Sequence, residues 1–372
     1  MFLLLENGEI YAPEHLGRKP VFTAAGQIIS IGGKMPEFPP DSEITFRVLD
    51  ASGCIVCPGF IDPHVHLIGG SGEGGFSKQT PDVPPETIEA AAITSVVGVL
   101  GVDTTMKNLP ALLGRAKAMK EHGLSAFIYT GGYNVPPSTI TGTLRNDIMF
   151  IEECIGAGEI AIADERSTDP NAPELARLVR DTAVAGLLSG KAGITHFHTG
   201  SKAQRLSVLR KIVEEHAIEP QCLYPTHIQR SRDLMAEAVE LSRRGAMIDI
   251  DTVDEDLPRC LKMFRELAGD PSRLTVSSDA DSSPPMTRFE QIGACYAQNL
   301  FPLPQLLSLV TSNVARVLKL RGKGRLVPGC DADIAVIEPG SWRLRHLIAR
   351  GSVLIEDYEP AQKQQAETVS AT

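Results

Sequence analysis

Three things are scarce in this 372-residue chain. There is no excess of basic charge: 36 Lys and Arg face 46 Asp and Glu, a formal net charge of -10. An acidic surface argues against nucleic acid or an anionic membrane as partner, although a single pocket can carry the opposite sign. There is no apolar run long enough to span a bilayer. The start, MFLLLENGEIYAP, has four apolar residues before an acid and lacks both a basic segment and the length of a signal core. We therefore expect a cytoplasmic protein that engages no membrane. Finally, there is no disulfide framework. The seven cysteines are odd in number and scattered. Cys54 and Cys57 form a CxxC, but no second pair follows to complete a zinc ribbon, and CIVC reads as an apolar strand with buried thiols.

What is present is a regular alternation. Strand-like apolar runs occur at Ile55–Leu67, Ser95–Leu100, Ser125–Thr130, Glu159–Asp164, Ile194–Thr199, Leu223–Ile228, Ala246–Asp251 and Leu274–Asp279. Amphipathic stretches such as Leu112–His122, Glu174–Leu188, Arg205–His216, Arg232–Arg243 and Leu257–Leu267 separate them, and a last helix is expected at Gln305–Lys319. Asn171 and Glu174 have the spacing of a capping box. Eight βα units predict an α/β fold, a (β/α)8 TIM barrel over residues 55–321. Residues 1–54 and 322–358 carry short β-like runs and predict one small β-sandwich domain built from both ends. Residues 359–372 are polar and aperiodic, the pattern of a disordered tail.

The chemistry-bearing residues collect at strand ends. His64 and His66, in PGFIDPHVHLIGG, are two apart and so point to one side of a strand. Alone they could hold a divalent metal or be stacked core histidines. His198 then ends the fifth strand run, His227 the sixth and Asp279 the eighth. The C-terminal ends of barrel strands are where active sites sit, so these five side chains should converge on one mouth as metal ligands. His196 is expected to support or pack beneath them. His15, His122, His216 and His346 are expected at the surface.

This pattern resembles the amidohydrolase superfamily, and GKGRLVPGCDADIAVI is similar to the stretch re-entering that superfamily's small domain. The stretches CPGFIDPHVHLIGGSGEGG, ITSVVGVLG, TGGYNVPPSTITG, ADERS, PTHIQR and VSSD together resemble the isoaspartyl (β-aspartyl) dipeptidases. The resemblance implies hydrolysis of β-aspartyl dipeptides by hydroxide drawn from water between two divalent metal ions, zinc being suited to His and carboxylate ligands. Many members bridge their metals with a carboxylated lysine on strand four. Here that place, ahead of ADERS, holds Glu159, and the nearest lysines, Lys120 and Lys191, are far off in sequence. Glu159 is read as the bridging ligand; a site with one metal is the alternative.

Other roles follow from the resemblance. Asp279 would shuttle the proton from water to the leaving amine, and Tyr133 would donate to the developing oxyanion. Glu73 and Ser283 would meet the substrate's α-amino group, and Arg166 and Arg230 would clamp the α-carboxylate of the leaving residue. At the aspartyl pocket, Val102 stands in place of a threonine and Ser71 in place of a glycine. Glu165 and Asp281 add acids at the mouth, either as solvated loop residues or as a rim that favours a basic leaving residue, as in the β-Asp-Arg and β-Asp-Lys released from cyanophycin. Resemblance also implies a homo-oligomer, dimer-based and up to an octamer. A cyclic-amide hydrolase of the dihydroorotase or hydantoinase type would share the metal ligands without needing Glu73, Arg166 and Arg230. A non-catalytic barrel scaffold would have lost ligands, and none is lost here.

Overall fold

The computed structural model describes residues 2–33, 46–70, 73–253, 256–281 and 283–358. Ser71 and the expected tail, 359–372, lie outside the described residues.

The chain forms a TIM-type barrel with β-sheets added from both termini. Barrel strands one to six are Phe60–Val65, Ile93–Gly98, Ser125–Thr130, Cys154–Ile162, Ile194–Thr199 and Leu223–Thr226. They lie side by side in sequence order, every adjacent pair parallel. Strands seven, Ile248–Ile250, and eight, Leu274–Val276, pair in parallel with each other. Strand eight returns to strand one through a Val65–Ala280 bridge and a 2.9 Å bond from the His66 N–H to the Ala280 carbonyl. Strand six reaches strand seven through side chains, Thr226 Oγ1 donating to Asp249 at 2.7 Å. The strands are buried along nearly their whole length, as expected when helices cover the outside and side chains fill the interior.

Helix boundaries follow local chemistry. The longest, Ala172–Ser189, begins with the reciprocal Asn171–Glu174 capping box, has Pro173 in its first turn and stops at Gly190, whose φ of 73° suits a residue without Cβ. The expected single helix at Gln305–Lys319 is two, Leu303–Ser308 and Ser312–Val317. The apolar run Ile55–Leu67 is also two elements. Ile55–Pro58 pairs antiparallel with Ile334–Glu338 in an outer sheet, and only Phe60–Val65 joins the barrel. A Cβ on Gly59, between them, would lie 2.3 Å from Thr94, so the chain turns from one sheet to the other through a position without room for a side chain.

The outer sheets combine both ends of the chain. A four-stranded sheet runs in the order Gln27–Ile31, Val21–Ala24, Phe2–Glu6, Phe46–Asp50. A six-stranded sheet runs Ser352–Ile355, Arg343–Ala349, Ile334–Glu338, Ile55–Pro58, Glu9–Tyr11, His15–Arg18. Leu3, Leu5, Val21 and Ile28 share one apolar cluster with Val56, Leu326, Ile334 and Ile348. Lys323 of the GKGRLVPGCDAD stretch is nearly buried between Asp331 (2.8 Å) and Asp333 (2.6 Å), which fixes the re-entering chain. His346, expected at the surface, is buried on the strand Arg343–Ala349.

All seven cysteines are free, and Cys54 and Cys57 are buried. Among the described residues no helix is long and apolar enough to cross a membrane.

Candidate active site

The five predicted metal ligands and Glu159 meet at the C-terminal mouth of the barrel. His64 Nε2 and His66 Nε2 lie 3.1 and 3.2 Å from the same Asp279 oxygen, Oδ1. Both also lie 3.5 Å from Glu159 Oε1. The other Glu159 oxygen, Oε2, faces a second pair: His198 Nδ1 at 3.2 Å and His227 Nε2 at 3.8 Å. His227 Nε2 is also 3.9 Å from Asp279 Oδ2. Among the described residues, His64–His66–Asp279 and His64–Glu159–His227 are spaced to hold a metal ion, as is His227–Asp251–Asp279.

Local backbone geometry aims these groups. Strand four pairs Ala157 with Thr195 and then Ile160 with Phe197, so Gly158 and Glu159 together oppose His196 alone. Such a bulge re-aims a side chain, and here the side chain is Glu159. Strand four can lie this close to strand five only because Gly156 and Gly158 lack Cβ atoms, which would fall 2.4 Å from Ile194 O and 2.8 Å from His196. Gly101 plays a similar part beside Val102: its Cβ would stand 3.0 Å from the His66 ring. His227 and Asp279 have φ values of 60° and 49°, left-handed conformations held by their surroundings.

Electrostatics fix the ionisation of the group. Burial pushes the Glu159 carboxyl upward, but the His64 charge, the hydrogen bond from His198 and the nearby His227 imidazole outweigh it and hold the pKa well below the usual range. Asp279 is held low in the same way by His64 and His66. Burial, reinforced by the Glu159 charge, pushes Tyr133 well above its ordinary value, so it is a neutral phenol. Its hydroxyl lies 2.7 Å from His198 Nδ1, and the Arg166 guanidinium stacks 5.2 Å from its ring.

The predicted substrate residues divide. Arg166 and Arg230 both reach His198 Nε2, at 3.2 and 3.3 Å, so they flank the cluster together. Arg166 also bonds Glu73 at 2.6 Å and Asp164 at 2.8 Å, and Arg230 donates to the Thr199 carbonyl at 2.7 Å. Glu73 thus meets an arginine of its own chain. Ser283 lies 3.4 Å from Thr287 Oγ1, with no bond to the cluster. Glu165 is exposed, while Asp281 is half-buried and its Oδ1 has no hydrogen-bond partner among the described residues.

Three supporting residues were missed or given no definite role by the sequence. Asp251, ending strand seven, is 2.5 Å from His227 Nδ1 and also accepts from Gln229. Asp164 holds His198 Nε2 at 3.0 Å. His196 lies 3.0 Å from His64 Nδ1. The available signal was position: Asp164 and Asp251 lie just past strand ends at the mouth, and His196 lies two residues before the predicted ligand His198.

Comparison with known proteins gives the family. The model of the Amidohydrolase family matches residues 55–365, and the chain belongs to that family. It is a hydrolase fold whose barrel mouth carries His, Asp and Glu clusters that could hold a metal ion. Within the family it groups with the isoaspartyl dipeptidases: it is 36% identical to the β-aspartyl dipeptidase of the keratin-degrading thermophile Fervidobacterium islandicum AW-1, with a TM-score of 0.90 over 96% of this chain and 98% of that one. The structure of that protein in complex with β-Asp-Leu dipeptide superposes with a TM-score of 0.89 at 35% identity, covering 96% and 97% of the two chains. A dihydroorotase from Lactobacillus johnsonii is 26% identical over 91% of this chain and 89% of its own.

Proposed function

We propose that this amidohydrolase cleaves β-aspartyl dipeptides at a site for two divalent ions, zinc by its ligand chemistry, with Glu159 as the bridge. The observation that carries the binuclear reading is the division of Glu159: one carboxylate oxygen faces His64 and His66, the other His198 and His227. The residues fit a metal on a further count. Among the described residues, His64 Nε2 and His227 Nε2 are buried without a hydrogen-bond partner, each within 4 Å of carboxylate oxygens. Bound ions would supply Lewis acidity and make water acidic enough to ionise near neutral pH.

The chain's own groups do the rest. Asp279, held ionised, accepts the proton of the attacking water and passes it to the departing amine. Tyr133, held neutral, donates its O–H to the oxygen of the scissile carbonyl as charge develops there. Arg166 and Arg230 present two guanidinium groups on one side of His198, suited to a carboxylate, and Glu73 offers an anion for the free ammonium. The half-buried Asp281 and exposed Glu165 support a preference for a basic leaving residue. Exposed Phe150, Leu187 and Leu188, on neighbouring helices, support self-association.

The dihydroorotase relative favours a second reading, a cyclic-amide hydrolase on the same metal site. The test is hydrolysis of β-Asp-Leu, β-Asp-Arg, α-Asp-Leu and dihydroorotate by zinc-loaded enzyme without bicarbonate. Turnover of only the β-linked dipeptides supports the proposal, and turnover of dihydroorotate alone replaces it. Activity that appears only with bicarbonate would argue against Glu159 as the built-in bridge. For the rim, Asp281→Lys should weaken β-Asp-Arg hydrolysis more than β-Asp-Leu hydrolysis; equal losses would remove that part.

A further inference from the structure

The imidazoles of the mouth are not backed alike. Asp251 holds His227 and Asp164 holds His198, so both imidazoles of one pair lean on carboxylates. The other pair has no such support. His66 Nδ1 is buried without a hydrogen-bond partner among the described residues. His64 Nδ1 meets another imidazole, His196 Nε2, at 3.0 Å. His196 Nδ1 in turn meets the backbone carbonyl of Tyr224 at 2.9 Å.

We infer that His196 is a positioning residue that fixes His64 in the one tautomer able to bind metal through Nε2. The inference rests on the metal reading above and follows from hydrogen-bond polarity. A carbonyl oxygen only accepts, so His196 Nδ1 carries the proton and donates to Tyr224. A metal on His64 Nε2 requires the lone pair there, so His64 carries its proton on Nδ1 and donates it to His196 Nε2. The two bonds then run in one direction, from His64 through His196 to the strand-six backbone. No carboxylate bonds His196 among the described residues. The ring is held at 5.2 Å from the Tyr129 ring and 4.8 Å from the Tyr224 ring, and Gly158 on the bulge packs against its Cβ. The bulge that aims Glu159 and the imidazole that aims His64 are therefore one packed unit.

A metal-binding histidine usually donates its second N–H to a carboxylate, carbonyl or water, and losing that partner lowers metal affinity. Here a neutral imidazole takes that place, for one ion of the two. The test is zinc titration of the full-length protein against a chromophoric chelator, for wild type, His196→Leu and His196→Gln. Leucine removes the acceptor; glutamine replaces it with a carbonyl oxygen. His196→Leu should weaken one equivalent of zinc by about 10–100-fold and leave the other near its wild-type affinity. His196→Gln should recover most of the loss. If His196→Leu does not fold, His196→Phe keeps the ring without polar atoms and carries the same expectation. Unchanged affinity in a folded Leu or Phe variant overturns the inference, as does a Gln variant no better than either. A wild type that binds one zinc ion would overturn the binuclear reading, yet the Leu–Gln contrast would still test His196 on that ion.

Discussion

Glu159 and Asp249 are both acids buried inside the barrel, yet they stand at opposite ends of the carboxylate range. Glu159, in the mouth layer, is held well below its ordinary pKa by the histidines around it. Asp249 lies one layer deeper, two residues before Asp251. Burial pushes it up to about 6, and bonds from Ser277, Thr275 and Thr226 only partly offset this. The deeper layer repeats the period of two: Asp62 precedes His64 and His196 precedes His198. Burial is common to both layers, so it does not decide ionisation. The mouth supplies cationic or metal-ready imidazoles, whereas Asp249 has hydroxyls, which are neutral donors. Among the described residues, Arg288 brings a cation to the deeper layer, itself fully buried, 3.5 Å from Asp62 and bonded to the carbonyls of Ile61 and Val276. One layer is built to hold charge for chemistry, the other to hold the strands in place.

The comparison can be broken from either side. In the mouth, Asp279→Asn should lower kcat for dipeptide hydrolysis by about 10²–10⁴-fold, the usual worth of a general base, with little change in unfolding midpoint. In the deeper layer the balance should invert. Arg288→Met leaves Asp62 unpaired in the interior and should cost about 3–5 kcal/mol in urea unfolding, while the protein that remains folded keeps its zinc content. A large loss of activity per folded molecule would show that the layers are not separable.

Between the two lies Asp251. Asp251→Asn should lower zinc affinity or activity about 10–100-fold, because His227 keeps its ring but loses an anionic partner. The narrowest effect, confined to one pH window, should come from Asp249→Asn. An acid whose folded pKa is raised keeps its proton longer in the folded state than in the unfolded one. Stability therefore falls as pH rises between the unfolded value, near 3.8, and the folded value of about 6. The asparagine variant should lack this component, flattening the unfolding profile by about 3 kcal/mol across that window. A variant with the wild-type slope would mean that Asp249 is not the group responsible.

Strand ends and spacing made the mouth layer readable before any coordinates. His64, His66, His198, His227 and Asp279 each end a run of apolar residues, and a barrel brings such ends together. Glu159 was readable as an acid with no adjacent base at a buried position. Its supports were not, because which nitrogen of His227 faces Asp251, or which of His64 faces His196, depends on ring orientation rather than on sequence distance. The bulge at Gly158–Glu159 was only hinted at by two glycines. One boundary and one placement misread for a different reason: an apolar run records burial, not partner, and a polar residue need not be at the surface. Ile55–Leu67 is buried throughout but divides between two sheets at Gly59, and His346 is polar yet lies inside the outer sheet. The pairing of Glu73 with Arg166 was invisible for want of any sequence relation between residues 93 positions apart.

That pairing bears on how ligands arrive. With Glu73 and Arg166 in contact at 2.6 Å, the entrance presents a self-neutralised couple rather than a lone field of either sign. A ligand that brings an ammonium to Glu73 and a carboxylate to Arg166 exchanges the one couple for two others. The couple itself should then add little long-range attraction to diffusional capture.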